Sequence, residues 1–338
     1  MRRTRTRALA STIAATALVL SACGSSDDGA GGDEGNDPQA TSAGSKLAAT
    51  WPLTGLPVKG EDSAVQDHPV LVLKMDNTSS SAPQVGLGSA DLVVEELVEG
   101  GMTRLAAFYY SRVPDDAGPV RSMRASDIGI VSPVDASMVT SGAAPITIKR
   151  INGAGIEFFG EGAKGFYRAG GRSAPYNLFA RMDETATLTR GGERPADYLT
   201  WGDAADLPKG KPATSLAASF GGGHTTSWSF SDGRYTIDNG YAAAGDEFPA
   251  DSVLVLRVEV GDAGYRDPAG NPVPETKLEG KGEAMLFHDG RVVRGTWSKD
   301  GLGAPIELAT KQGELKVPAG HTWIELVPRE AGNVTFAR

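Results

Sequence analysis

HPVLVLKM, running from His68 to Met75, is the stretch that decides the fold. Val70, Leu71, Val72, Leu73 and Met75 leave no polar face, and only Lys74 interrupts them. Such a run predicts a strand covered on both sides. Downstream, Ser89 to Glu99 places Ala90, Val93, Val94, Leu97 and Val98 at helical spacing. Ser89 serves as N-cap and Gly100-Gly101 as a stop. Thr103 to Tyr110 (TRLAAFYY) reads as a second strand, Ser122 to Val131 as a helix, Asp135 to Ser141 as a third strand and Ile146 to Ile151 as helical. This β-α-β-α-β order predicts an α/β fold class, with a mostly parallel sheet, over residues 50–210. Residues 153–175 are rich in Gly and charge and read as loops, where binding residues concentrate.

Beyond Pro208-Lys209-Gly210-Lys211-Pro212 the pattern changes. Thr226 to Phe230 and Tyr235 to Ile237 flank Asp232-Gly233, a pair suited to a two-residue hairpin turn. Ser252 to Val260 (SVLVLRVEV) is a strong strand. Met285 to His288, Asp289-Gly290 and Val292 to Trp297 repeat the hairpin signal. Leu315 to Val317 and Thr322 to Val327 read as one more pair. Together they predict a C-terminal, mainly antiparallel β-rich domain over residues 215–338.

The N-terminus reads as an export signal. Arg2, Arg3, Arg5 and Arg7 precede an apolar stretch from Ala8 to Leu20. That stretch falls short of the roughly 20 residues a spanning helix needs and suits a signal-peptide core. Leu20-Ser21-Ala22-Cys23 resembles the lipobox of bacterial lipoproteins. The expectation is a signal peptide over residues 1–22 and a diacylglyceryl anchor on Cys23, on the extracytoplasmic face of the cell membrane. Arg2-Arg3 leaves the export route open between general secretory and twin-arginine. Residues 23–49 read as a disordered acidic tether, too poor in apolar residues to order themselves, and the stretch from Gly24 to Ser45 alone gives about 25 Å of reach.

Cys23 is the only cysteine in 338 residues, which excludes a disulfide framework and thiol chemistry from the body. Without its four N-terminal arginines the chain carries 29 basic against 42 acidic residues. That balance argues against nucleic acid as a partner, since phosphate binding relies on clustered Lys and Arg.

Several stretches are similar to the YerB-like lipoproteins, a two-domain bacterial family. They are Pro52 to Leu56, Met75-Asp76-Asn77, Pro83 to Leu87, Ala90-Asp91, Glu99 to Arg104, Gly118 to Arg124 and Arg168 through Leu178. In the second half they are Gly280 to Gly282, Asp289 to Arg291, Gly295 to Lys299 and Pro318 to Ile324. The resemblance implies two domains and an extracytoplasmic lipoprotein, and supplies no activity. One departure stands out: family members tend to carry a Tyr/Arg/Asp-containing stretch after the first C-terminal hairpin. Here Asp238 to Ala243 is short of those charges, which would alter whatever that stretch binds.

The candidate ligand-binding residues are Asp76, Asn77, Arg104, Arg121, Arg124, Arg168, Arg172 and Asn177. The arginines fall at the ends of predicted elements or in loops, and a guanidinium fork suits carboxylate or phosphate. Arg121 and Arg124, three apart at a predicted helix start, would share a face. One reading is a pocket for an anionic envelope ligand. The other is internal pairing with Asp76, Asp91, Glu95 or Glu99. Asp76-Asn77 closes a predicted buried strand, where open α/β sheets gather ligands. The alternative is turn capping.

Glu95 and Glu99 could approach to the separation that glycoside hydrolysis uses, but such pairs are common on solvated helix faces. Gly86-Leu87-Gly88 could receive an anion at a helix start or be an ordinary loop. Thr296 and Lys299 resemble a nucleophile–lysine pair only in spacing. Trp228, Trp297 and Trp323 suit either a sugar-stacking face or, better, a β core. The four histidines have no metal-ligand spacing, so neither a metal nor a cofactor is expected. Three functions remain: a non-catalytic binding protein for an anionic envelope ligand or partner protein, an envelope hydrolase or transferase using acidic residues of the first domain, and a scaffold of a membrane complex. Without nucleophile or metal signatures, the first and third are favoured and enzyme activity is not the leading expectation.

Overall fold

The HPVLVLKM stretch forms β1 (Leu71–Asp76), whose six residues are all buried. The computed structural model describes residues 49–60 and 62–338. The signal peptide, Cys23 and the tether up to residue 48 lie outside the described residues. After β1 come β2 (Leu92–Leu97), β3 (Thr103–Tyr109), α1 (Asp127–Val131), β4 (Ser137–Val139), α2 (Pro145–Gly153), β5 (Phe158–Phe159) and α3 (Met182–Ala186). The second half adds β6 (Ser215–Gly221), β7 (His224–Ser231), β8 (Arg234–Ile237), β9 (Ser252–Arg266), β10 (Gly280–His288) and β11 (Arg291–Lys299). It ends with β12 (Glu307–Thr310), β13 (Gly313–Glu314), β14 (Thr322–Pro328) and β15 (Asn333–Ala337).

Both halves of the chain build one 13-stranded sheet, in the order β13-β12-β11-β10-β9-β14-β2-β3-β1-β4-β5, with short strands pairing off that path. The join is β14, which runs parallel to β2 on one side and to β9 on the other. Its seven residues, TWIELVP, are all buried, and so continuous a run takes a central place. This overturns the expected pairing of Leu315–Val317 with Thr322–Val327. Val317 and Pro318 instead pair with Trp201 and Gly202.

The first-half sheet is mixed rather than mostly parallel. β1 runs parallel to β4 and β4 to β5, but β3 is antiparallel to both β1 and β2. The cause is a segment read as helix, Ser89 to Glu99. Leu92–Leu97 is a strand, and the chain reverses through Gly100 and Gly101, both at positive φ (73° and 72°). The helical spacing of its apolar residues was incidental. Leu92, Val93 and Val94 are consecutive, with β-branched members that suit a strand buried on both faces. The helix expected over Ser122–Val131 is confined to α1, because residues 121–126 run as an irregular segment. There Met123 N–H donates to Gly142 O at 3.0 Å and Arg124 N–H to Asp127 Oδ2 at 2.6 Å.

The two Asp-Gly hairpins form as expected. Asp232 and Gly233 (φ 52° and 81°), and Asp289 and Gly290 (47° and 65°), supply the left-handed pairs of such turns. A second sheet, β8-β7-β6-β15, lies over one face of the large one. Trp228 of β7 meets Trp323 of β14 edge-on, with ring centroids 5.2 Å apart. Such a pair adds about 0.5–1.5 kcal/mol beyond the area it buries. α1, Tyr198 and Leu199 help cover the opposite face. Trp228, Trp297 and Trp323 are each only 1% exposed, so all three are core residues. No helix among the described residues is long and apolar enough to cross a membrane.

Candidate functional site

Strand alternation sends neighbouring carboxylates to opposite faces of the sheet. Glu96, Lys74, Asp76 and Arg104 belong to the face covered by α1, whereas Glu95 and Glu325 belong to the face covered by the second sheet. Two polar centres result.

The first gathers most of the sequence-predicted arginines. Arg124 forks onto Glu99, with Nε donating at 2.9 Å to Oε2 and Nη2 donating to Oε1. Arg104 Nη2 donates to the same Glu99 at 3.1 Å, and its Nη1 to Ser122 O at 2.8 Å. Burial, with the nearby Arg124 charge, lowers the Arg104 guanidinium to about 10. Arg121 Nε stands 2.9 Å from Asp76 Oδ2 in an ion pair whose angle falls short of a hydrogen bond, and its guanidinium lies 5.3 Å from the Tyr176 ring centroid. Beneath them the fully buried Lys74 ammonium sits 2.7 Å from Glu96 and 2.8 Å from Asp127.

The other predicted residues go elsewhere. Arg168 is exposed and pairs with Glu161 at 2.6 Å and with Asn177 Oδ1 at 2.6 Å. Arg172 donates to Ser81 O at 2.9 Å and to Pro83 O, clamping that turn. Asn77 turns to the other face, donating at 2.9 Å to both Glu95 and Thr103. Glu95 and Glu99 therefore form no dyad, since each is engaged with partners of a different centre. Lys299 is buried and donates to the carbonyls of Gly301 and Leu302 at 2.9 and 2.6 Å, and to Ala304 O, so it packs a strand end.

The second centre floors a cleft of about 150 Å3. Glu95 and Glu325 are paired residues in the β2–β14 register and neither is exposed. His224 Nε2 lies 2.9 Å from Glu95 Oε1, and Thr226 Oγ1 donates to both Glu95 oxygens at 3.0 and 2.9 Å. Trp228 Nε1 donates to Glu325 Oε1 at 2.9 Å. The Trp323 indole lies beside the same carboxyl.

Two abutting carboxyls cannot both ionise. Burial, then the charge of Glu95, pushes Glu325 well above the usual carboxylate range. Burial works to raise Glu95 as well, but the hydrogen bond and charge of His224 hold it below that range. Burial works against the His224 cation, and Glu95 outweighs it, so the imidazole titrates above its ordinary value.

The cleft walls are Asn77, Gln84 and Leu87 on one side and residues 237–242 with Glu247 and Phe248 on the other. The stretch from Asp238 to Ala243 is thus largely cleft wall. It is strapped down by Gln84, whose N–H donates to Tyr241 O at 2.7 Å and whose carbonyl accepts from Ala243 N at 2.8 Å. Gly86 and Gly88 do receive an anion, an internal one. Their N–H groups donate at 2.5 and 3.0 Å to the Asp246 carboxylate. Sequence reasoning missed Glu325 and the pairing of Glu95 with His224. The available signal was a glutamate inside each of two otherwise apolar strands, LVVEEL and TWIELV.

The chain is similar to two described domain families. The N-terminal domain of a "Protein of unknown function (DUF3048)" matches residues 53–193, and the C-terminal domain of the same family matches residues 216–324. A relative named "Putative lipoprotein YerB", from Bacillus subtilis (strain 168), is 26% identical over 295 residues, covering 82% of this chain and 86% of its own. A crystal structure of YerB protein from Bacillus subtilis shares the fold at a TM-score of 0.70 and 22% identity, covering 85% of this chain and 99% of that one.

Proposed function

Because this chain belongs to the YerB-like lipoprotein family, carrying both DUF3048 domains in order, we propose that it is an extracytoplasmic protein held at the cell membrane by a lipid on Cys23, and that it binds a cell-envelope ligand in the cleft over His224. The anchor reading is supported by the lipobox-like Leu20-Ser21-Ala22-Cys23 and by the relative's name. Binding is favoured over catalysis because the buried acids already have partners: Glu99 is forked by Arg124 and Arg104, and Glu95 accepts from Asn77 and Thr226 beside His224. Such carboxylates hold neighbouring groups in place rather than waiting for a substrate proton.

The observation that carries the cleft reading is His224. Its Nε2 is held by Glu95, and its Nδ1 has no hydrogen-bond partner among the described residues, so one directed nitrogen is left open to a ligand. Co-sedimentation of the full chain with purified cell walls, run beside a turnover assay on muropeptides, tests the reading. Saturable binding without turnover is expected, and turnover that depends on Glu99 or Glu95 would replace it with a hydrolase. Membrane fractionation of Cys23→Ala tests the anchor, with release from the membrane fraction expected.

A second reading keeps an anionic envelope polymer or partner protein as ligand. Among the described residues the terminal nitrogens of the half-buried Arg121 have no hydrogen-bond partner, and they lie by the Tyr176 ring. Arg121→Ala with unchanged stability and lost binding would favour it.

A further inference from the structure

The charges around the cleft differ from those at the arginine centre. Asp238 and Glu247 are exposed carboxylates on its wall, and among the described lining residues there is no Lys or Arg. Each acid is positioned by one hydrogen bond: Ser229 Oγ donates to Asp238 Oδ2 at 2.9 Å and Gly245 N–H to Glu247 Oε2 at 2.9 Å. The other oxygen of each has no hydrogen-bond partner among the described residues. These groups attract a cation and disfavour a simple anion.

The floor is opposite in character. His224 keeps Nδ1 open while Glu95 stabilises its cationic form. Trp323, 1% exposed, lines the cleft with its ring. An imidazole nitrogen beneath a carboxylate rim suits a group carrying both a polar oxygen and an ammonium. At about 150 Å3 the cleft holds one such group rather than a polymer.

Resting on the cleft reading above, we propose that the cleft takes an amino-bearing residue of a short peptide, its ammonium between Asp238 and Glu247 and a neighbouring polar group of the peptide at His224 Nδ1. The alternative of a neutral sugar would leave both rim carboxylates without a charge partner.

The probe is the dipeptide lysyl-alanine, compared with its doubly N-acetylated form, titrated into the full chain and followed by amide NMR. Shifts at Asn239, Gly240 and His224 are expected with lysyl-alanine, with at least tenfold weaker binding of the acetylated form. Asp238→Asn and Glu247→Gln, both at exposed positions, should each weaken the dipeptide severalfold while leaving the melting temperature unchanged. Equal binding of the two forms, indifference of both variants, or no shifts at all would overturn the assignment. Wall binding separates this failure from failure of the cleft reading. If Ala242→Trp abolishes wall binding but acetylating the wall's amines does not, the cleft stands and the ammonium assignment falls. If Ala242→Trp binds walls fully, the cleft itself is not the site.

Discussion

Glu95 and Glu325 stand opposite one another in the parallel pairing of Leu92–Leu97 with Thr322–Pro328, both without exposed surface. Parallel register brings the side chains of paired residues to the same face, so the carboxyls abut. One proton must reside on the pair, and the surroundings assign it to Glu325: Glu95 has His224 as a counter-charge, and Glu325 has none. His224, at the cleft, thereby leads inward to Glu95 and then to Glu325, the member of the carboxyl pair that burial and the neighbouring charge push upward.

This arrangement makes stability pH-dependent through Glu325. Its folded value lies above the ordinary 4.5, so its contribution is fully present below that value and is lost as pH rises through the folded one. Glu325→Gln keeps an N–H donor toward Glu95 and an acceptor for Trp228. The variant should be increasingly more stable than the parent from pH 5 to pH 8, by urea denaturation at each pH. A constant difference would mean that Glu325 is ionised in the fold.

His224 has the same slope as Glu325, and Glu95 the opposite one. His224 is raised from 6.5, so its contribution is complete below that value and is lost as pH rises through the folded one. Glu95 is depressed from 4.5, so its contribution is present above that value and is lost as pH falls through the folded one. The pair should support the fold best between those two values. Imidazole NMR should place the His224 midpoint above 6.5, and Glu95→Gln should lower it.

Glu99 compensates two buried guanidiniums, those of Arg104 and Arg124. Glu99→Gln should cost about 3–5 kcal/mol in denaturant unfolding, the usual penalty for stranding a buried charge. A loss below about 1 kcal/mol, typical of a surface pair, would show that the arginines find other partners.

Asp246 closes the Gly86–Gly88 turn and holds the cleft wall to the first half of the chain. Asp246→Ala leaves both N–H groups without their acceptor and should cost about 1–3 kcal/mol. Hydrogen exchange at the Gly86 and Gly88 amides should accelerate by the same free energy. Unchanged exchange at both would mean that the carboxylate does not retain the wall.

Elements marked by unambiguous local chemistry were legible in the sequence: the HPVLVLKM strand, both Asp-Gly hairpins and SVLVLRVEV. β2 was not, because with both faces buried its apolar residues show no alternation and mimic helical spacing. β14 was not, because its two partner strands both lie earlier in the chain, about 70 and about 230 positions back, where no local pattern reaches. Of the five arginines expected to act together, Arg104, Arg121 and Arg124 lie at one centre with Glu99 and Asp76 as partners, and Arg168 and Arg172 lie elsewhere. The cleft was invisible, since it arises only where β7 lies over β2 and β14 and brings His224 to Glu95, 129 positions earlier.

We place the ligand in the cleft over His224. The most direct test of this is the affinity of the full chain for solubilised cell-wall fragments, measured by calorimetry for the parent and for Ala242→Trp, which fills the cleft from its wall. A loss of at least about tenfold, or about 1.4 kcal/mol, is expected, with an unchanged melting temperature. Equal affinity in a folded Ala242→Trp would contradict it.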